Sequence, residues 1–101
     1  MIEFYMLGDM GSGLKSQTDV VSGMLDDEIH LKDTFVCGLG DNIYENGCSS
    51  VSDVQFSTKF EKPYGKIPDS IKFYMCLGNH DYGYEESTGY LQQIDNSKHQ
   101  V

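Results

Sequence analysis

Three short apolar runs along the chain each end at a glycine followed by a polar residue. They extend from Ile2 to Leu7, from Thr34 to Leu39 and from Ile71 to Leu77. Nearly continuous apolar runs of this length are typical of strands that are buried on both faces, as parallel strands are. The pattern therefore predicts three strands of a parallel sheet.

The segments between these runs show a different spacing. From residue 14 to about residue 32, apolar residues recur every three or four positions, at Val20, Val21, Met24, Leu25 and Ile29. This spacing predicts a helix with one apolar face. A strand, a helix and a second parallel strand form a right-handed unit in nearly all proteins, so the fold class is α/β.

Two shorter helices are also expected. In residues 51–60, Val51, Phe56 and Phe60 would line one side of a short helix. Pro63, Gly65 and Pro68 follow and would end it. The polar region after residue 84 allows a further short helix around residues 88–94.

The chemistry is expected where the three runs end. The terminal triplets are Leu7-Gly8-Asp9, Leu39-Gly40-Asp41 and Leu77-Gly78-Asn79. Ligands of parallel sheets bind outside the carboxyl ends of the strands, so Asp9, Asp41 and Asn79 should converge there. Crowded carboxylates repel one another unless a cation lies between them, and oxygen ligands suit hard or borderline metal ions. The pattern therefore predicts a metal site.

Each of these residues also has an ordinary structural interpretation. Asp and Asn after glycine are common in turns, and a single Gly-Asp pair is no evidence for a metal site. Tyr44 is as well explained by a buried aromatic side chain as by a phenolate ligand. His80 would serve equally as a hydrogen-bonded turn residue. His30 and His99 are expected to be exposed.

Composition limits the possible partners. The chain has 101 residues, 39% of them hydrophobic, which is enough for one small domain. Seven Lys and Arg against sixteen Asp and Glu give a net charge of −9. Binding of nucleic acid or of an anionic membrane through a basic face is therefore excluded. No apolar run approaches the roughly 20 residues that cross a bilayer.

Compartment is inferred from the cysteines and the first residues. Cys37, Cys48 and Cys76 are odd in number and lack a metal-like spacing, which favours reduced thiols. The first residues carry no basic segment, long apolar stretch or small-residue cleavage site. A cytoplasmic location is expected.

The segments around the strand ends also carry a family resemblance. They read Gly8-Asp9-Met10-Gly11, Gly40-Asp41-Asn42-Ile43-Tyr44 and Gly78-Asn79-His80-Asp81. They resemble the first three sequence blocks of the calcineurin-like metallophosphoesterases, most of all those of the purple (tartrate-resistant) acid phosphatases. The similarity continues through 53–56 and 60–64 and so covers nearly the whole chain. It implies that residues 1–101 are a partial domain, the N-terminal half of an α/β/β/α sandwich with parallel strands.

The resemblance also implies roles for individual residues. Asp9 and Tyr44 would ligate a first metal ion, usually ferric iron, and Asp41 would bridge two ions. Asn79 would bind the second ion, which is iron, zinc or manganese in the family. His80 would lie near the leaving group, and the reaction would be hydrolysis of a phosphate monoester.

The chain also departs from the family pattern. Two later blocks of the family supply three histidine ligands, and no segment here matches either block; we assign no ligand role to His99. The second ion should therefore be weakly held, and the sequence is interpreted as a truncated gene product, one part of a split gene or a fragment. One sheet face should lack a cover, which predicts a second polypeptide or self-association.

Three functions remain open at this point. The first is a metal-dependent phosphoesterase, or part of one. The second is an inactive metal-binding or interaction remnant, which the absent histidines favour and the retained His80 and Asp81 disfavour. The third is a nucleotide-binding loop built from Gly8, Gly11 and Gly13. Asp9 would repel phosphate there, and the spacing is not Gly-x-Gly-x-x-Gly, so this third function is the weakest.

Overall fold

The computed structural model describes residues 2–87 and 89–100. The regular elements are β1 (Tyr5–Leu7), α1 (Lys15–Asp26), β2 (Phe35–Gly38), β3 (Lys72–Met75), α2 (Asn79–Tyr82), β4 (Tyr84–Ser87) and β5 (Tyr90–Gln93). Short 3₁₀ turns cover Ile29–Leu31 and Ser97–His99, and a π-helical turn covers Ser57–Glu61.

The first three strands form one parallel sheet with β2 in the centre. Tyr5 lies opposite Val36, which in turn lies opposite Phe73. The predicted α/β class and the three parallel strands are confirmed. Each strand is shorter than its apolar run, and β1 begins at Tyr5 instead of Ile2.

One face of this sheet, here called the covered face, carries Tyr5, Leu7, Val36 and Phe73. It packs against α1 and the segment that precedes β3, because both supply apolar side chains to the same core. The buried members of that core are Met10, Val21, Met24, Ile29, Val36, Tyr64, Ile67 and Ile71. The predicted apolar stripe of α1 is therefore the surface that binds the sheet, although Val20 lies outside it and is 47% exposed.

The opposite face, here called the open face, presents the alternate side chains of the same strands. Phe4 stacks on Phe35, with 5.2 Å between ring centroids, and Phe35 meets Tyr74 edge to face at 5.8 Å. Met6 is 63% exposed and Tyr74 is 61% exposed. Among the described residues, no element packs over this face.

Two expectations for the helices need correction. The short helix in 51–60 is present only as helical turns near Ser57–Glu61, and Val51 is 78% exposed, so it does not line the packed side. The helix expected around 88–94 is wrong. Residues 89–94 instead contain β5, which pairs antiparallel with β4, while Thr88 lies outside the described residues. Gly89 has φ of +82°, which permits the tight reversal between the two strands.

Within the described residues, none of the helices is long and apolar enough to cross a membrane. The three cysteines are free thiols.

Candidate metal centre

Asp9 and Asp41 follow the carboxyl ends of the neighbouring strands β1 and β2, and both adopt a left-handed backbone. Their φ angles are +51° and +55°, a region that residues other than glycine seldom occupy, although Asp and Asn tolerate it better than most. The N–H of Asp9 donates to the carbonyl of Gly40 at 3.2 Å, which ties the two turns together. Strained backbone of this kind concentrates at functional sites.

Two glycines allow the loops at the strand ends to approach closely. A Cβ on Gly78 would overlap the carboxylate of Asp41, and a Cβ on Gly11 would overlap the backbone carbonyl of Asn42. Any side chain at either position would therefore push apart the loops that follow β1, β2 and β3. Gly78 and Gly11 are therefore required by the close contact between these loops.

The hydroxyl of Tyr44 lies between the two aspartates. It donates to Oδ1 of Asp9 at 2.6 Å and lies 3.3 Å from Oδ2 of Asp41. The hydrogen bond to Asp9 raises the pKa of the Tyr44 hydroxyl well above its usual range, and burial and the negative charges of both aspartates raise it further. The oxygen atoms of Asp9, Asp41 and Tyr44 thus converge. Without a cation between them, Tyr44 keeps its hydroxyl proton, whereas a bound cation would favour the phenolate form.

Asn79 and His80 begin α2 at the end of β3. The backbone N–H of His80 donates to Oδ1 of Asp41 at 2.9 Å, which joins the third strand end to the other two. The side chain of Asn79 is exposed, and its Nδ2 lies 3.4 Å from the hydroxyl of Tyr84. Asn79 is therefore next to the cluster through its backbone, whereas its amide contacts β4.

The ring of His80 lies against that of Tyr44, with 4.5 Å between ring centroids. Its Nδ1 is 2.7 Å from the carbonyl oxygen of Glu45. Because a carbonyl oxygen only accepts, Nδ1 carries the proton in this arrangement. Nε2 is then the ring nitrogen that does not contact the Glu45 carbonyl.

Sequence reasoning gave no site role to Asp81, which lies at the centre of the loops. It is fully buried, and its carboxylate accepts hydrogen bonds from the backbone of Asn42, Ile43 and Gly78 and from the Gln100 side chain. The motif Asn79-His80-Asp81 contains this residue, but burial and partners cannot be read from the motif alone.

Other polar residues hold the loop that carries Asp9. Gln17 on α1 is buried and donates from Nε2 to the carbonyl of Met10 at 2.6 Å, and the Tyr64 hydroxyl donates to that carbonyl at 2.8 Å. Lys59 donates to the backbone carbonyl of Tyr44. The elements of the covered face thus also orient the site.

The side chains at the strand ends are of the kinds that bind metal ions, but they are few. Among residues 2–87 and 89–100, no three His, Cys, Asp or Glu side chains are grouped so that they could hold a metal ion. Asp9 and Asp41 provide two carboxylates, and the other donors are a phenol and an amide, which ligate hard cations through oxygen. The residues present fit one oxygen-ligated ion better than two.

The three strands of the parallel sheet thus bring two aspartates, a tyrosine hydroxyl and the start of α2 together at their carboxyl ends. The family model for calcineurin-like phosphoesterases matches residues 2–100. The chain belongs to this family, and its three-stranded parallel sheet is consistent with the N-terminal half of a metallophosphoesterase fold.

The curated relatives narrow the similarity to the purple acid phosphatases. Purple acid phosphatase 4 of Arabidopsis thaliana is 38% identical over 84 residues, which is 80% of this chain and 24% of the relative. Purple acid phosphatase 3 of the same plant is 35% identical over 82 residues, 80% of this chain and 22% of the relative. Tartrate-resistant acid phosphatase type 5 of Oryctolagus cuniculus is 39% identical over 49 residues, 48% of this chain and 15% of the relative.

The chain therefore spans about a quarter of the length of the plant relatives, and the match lies in their N-terminal part. The family implies binuclear metal ions and phosphate ester substrates.

Proposed function

We propose that the protein is a metal-dependent phosphoesterase that hydrolyses phosphate monoesters at a two-metal site, of which residues 1–101 form one part. The observation that carries the proposal is the contact of Tyr44 with both Asp9 and Asp41 at the carboxyl ends of adjacent parallel strands. Family membership supports it independently. A remnant that served only as an interaction surface would have no need for two aspartates held in a left-handed backbone.

The ligand assignment follows the strand ends. Asp9 and Tyr44 would hold a first ion, which we take to be iron, and Asp41 would be a ligand shared with a second ion of iron, zinc or manganese. Asn79 would be the remaining ligand of that second ion, so the affinity of this chain for the second ion would be low. The histidine ligands of the family would have to come from residues that match its later sequence blocks, and none of His30, His80 and His99 stands in such a block.

When bound, the ions would neutralise charge on the phosphoryl oxygens. The chain has no arginine that could neutralise the phosphoryl oxygens in place of the ions, because all seven of its cationic side chains are lysines. His80 acts on the leaving group. With Nδ1 donating to the Glu45 carbonyl, a protonated ring offers its second proton from Nε2 to the departing oxygen. Tyr44, packed on the imidazole, limits its rotation.

The open face bears on partners. Its apolar side chains need a cover, and we propose that a second polypeptide or a second copy of the chain supplies it. The proposal includes a cytoplasmic location, in keeping with three free thiols.

Metal binding is tested by elemental analysis after reconstitution with iron. The wild-type chain should bind at least one ion, and Asp41→Ala should lose most of it, because Asp41 is the ligand shared by both sites. Asp69→Ala removes an exposed carboxylate of the loop before β3 and is the matched control, which should bind as the wild type does. A wild type without metal, or an Asp41 variant that binds equally well, would contradict the site.

Turnover is tested with an activated aryl phosphate. The 101 residues alone should hydrolyse it very slowly or not at all, because losing even one supporting partner of a metal site commonly costs roughly ten- to a hundredfold. A polypeptide with the histidine-bearing blocks should restore turnover that His80→Ala abolishes and His99→Ala leaves intact. Vigorous hydrolysis by the isolated chain would refute the need for those histidines.

A further inference from the structure

Asp81 is a buried carboxylate with no cation beside it among its hydrogen-bond partners. It is 0% exposed, and all of its side-chain partners are N–H donors. A buried charge is costly unless hydrogen bonds compensate it. The side chain of Asp81 contacts none of the proposed metal ligands. Direct metal binding therefore does not explain why a carboxylate is buried at this position.

The partners of Asp81 come from the loop after β2. The backbone N–H of Asn42 lies 2.9 Å from Oδ1 of Asp81, and that of Ile43 lies 3.1 Å from the same oxygen. Asn42 and Ile43 are themselves buried, so without Asp81 these N–H groups would lose hydrogen bonds where water has no access. Asn42 directly follows Asp41, so these bonds set the direction of the Asp41 backbone.

The exchange is reciprocal. Asp81, in the loop after β3, accepts hydrogen bonds from the N–H groups that follow Asp41. In return, Asp41 accepts a hydrogen bond from the N–H of His80 at 2.9 Å. Asp81 also caps its own helix, because Oδ2 accepts the N–H of Gly78 at 2.8 Å. Two carboxylates thus join the loops: Asp41 accepts from the loop after β3 on the side of the site, and Asp81 accepts from the loop after β2 in the interior.

The end of the described chain completes this network. Nε2 of Gln100 donates to Oδ1 of Asp81 at 3.0 Å, and its Oε1 lies 3.4 Å from Nδ2 of Asn42. Asn96 joins the same region, because its N–H donates to the carbonyl of Tyr82 at 2.8 Å. Gln100 therefore contacts both loops.

We infer that Asp81 is the positioning residue of the metal centre: held by Gln100, it fixes the loop of Asp41 against that of Asn79 and His80. This inference rests on the proposed function, because it assigns Asp81 a purpose in metal binding. The alternative is that Asp81 caps a turn and contributes only to global stability.

The test uses Asp81→Asn in the full chain. Asparagine keeps the size but places an NH₂ group against N–H donors, so the two loops should separate. The matched control is Asp53→Asn, since Asp53 also accepts two backbone N–H groups, those of Ser49 and Gln55, in a turn away from Asp41.

The first readout needs no metal. Hydrogen exchange at the amides of Asn42, Ile43 and Gly78 should become at least about tenfold faster in Asp81→Asn, because one of the two accepting oxygens is replaced by an NH₂ donor and the remaining oxygen cannot serve both loops. The amide of Val36 in β2 should keep its protection, as it would not if the whole chain were destabilised. Equal acceleration at all of these amides, or none, would overturn the inference.

The second readout is the dissociation constant for Mn²⁺. It should rise roughly ten- to a hundredfold in Asp81→Asn and stay unchanged in Asp53→Asn. An unchanged constant in Asp81→Asn would overturn the positioning role while leaving the proposed function intact. A wild type that binds no Mn²⁺ or iron would contradict the proposed function, and hydrogen exchange would still decide whether Asp81 holds the loops.

If Asp81→Asn does not fold, Gln100→Met decides the question. It keeps Asp81 and its three backbone donors and removes the Gln100 amide, which contacts both Asp81 and Asn42. The dissociation constant for Mn²⁺ should then rise about three- to tenfold, the size of effect expected for the net loss of one ordinary hydrogen bond. No change in that constant and in exchange at Asn42 would overturn the inference.

Discussion

The two faces of the parallel sheet are built by the same strands and yet have opposite environments. On the covered face Val36 is fully buried, whereas on the open face Tyr74, one strand away, is 61% exposed. Side chains alternate along a strand, so each short strand supplies both faces with apolar residues. The difference therefore lies in which elements the described chain provides for packing.

The covered face is also the side that supports the candidate site. Gln17 and Tyr64 reach from it to the loop of Asp9, and Lys59 reaches the carbonyl of Tyr44. The described supports of the site therefore come from the half of the sheet that already has a core. Changes on the covered face should disturb folding and site together, whereas changes on the open face should disturb neither.

The sharpest test places the same charge on each face. Val36→Asp buries an unpaired carboxylate at the centre of the sheet, which costs several kcal/mol and should abolish most of the folded structure. Tyr74→Asp places the charge in water and should change the free energy of unfolding by less than about 0.5 kcal/mol. Urea unfolding followed by circular dichroism measures both.

The same pair of variants examines the cover of the open face. Wild type should associate in sedimentation experiments, and Tyr74→Asp should shift it toward monomer. If Tyr74→Asp unfolds as readily as Val36→Asp, the two faces are equally important for folding and the comparison fails.

A milder test uses two neighbours in the same 3₁₀ turn after α1. Ile29 is fully buried under the covered face, and Leu31 is 72% exposed. Ile29→Ala should cost about 2–5 kcal/mol because it leaves a cavity. Leu31→Ala should cost less than about 0.5 kcal/mol. Equal midpoints in urea would show that the core near Ile29 collapses to fill the space.

The strands and the class of fold could be predicted because their signal is local. Each strand is an apolar run ended by a glycine, and the stripe of α1 follows helical spacing. The hairpin of β4 and β5 could not be predicted in the same way, because its residues are polar and its pairing depends on the reversal at Gly89. A polar segment that packs on no core carries little periodicity.

At the site, the sequence predicted the residues at the strand ends but not the residues that hold their loops in place. Asp9, Asp41 and Tyr44 follow from the strand ends and the family pattern, and the structure brings these three into contact. Asn79 was expected among them, but its amide contacts Tyr84. Asp81 was missed because its partners are mostly backbone N–H groups, which leave no trace in side-chain identity.

The rates at which the cysteine thiols react with a labelling reagent compare a buried position with an exposed one. Cys76 is exposed just beyond the end of β3, while Cys48 is fully buried. Burial raises the pKa of the Cys48 thiol to about 11. Since the thiolate is the nucleophile, a maleimide at pH 8 should label Cys76 at once and Cys48 only after unfolding.

Concentration sharpens that experiment. If copies of the chain associate through the open face, labelling of Cys37, which lies between Met6 and Tyr74 in the sheet, should slow as protein concentration rises and recover in Tyr74→Asp. Labelling of Cys48 should not depend on concentration. Rapid labelling of Cys48 in the folded chain would contradict the burial on which the comparison depends.

The smallest expected effect concerns acid stability of the segment that covers the sheet. Asp53 lies before the helical turns of that segment, and the backbone N–H groups of Gln55 and Ser49 lower the pKa of its carboxyl to about 2. A carboxyl whose pKa is lowered by folding stabilises the folded state above its unfolded pKa of about 4. That stabilisation is lost as the pH falls from about 4 toward 2.

Asp53→Asn should therefore reduce the free energy of unfolding by about 1 kcal/mol at neutral pH, and the difference from wild type should shrink between pH 4 and pH 2. Asp95→Asn is the control outside the sheet, since the hydroxyl of Ser97 likewise lowers the pKa of Asp95. Asp95 lies beyond β5, so its loss should leave the urea midpoint of the sheet unchanged. If both variants shift that midpoint equally, then the cover of the sheet and the peripheral turn unfold as one unit, and the faces differ in exposure but not in their contribution to folding.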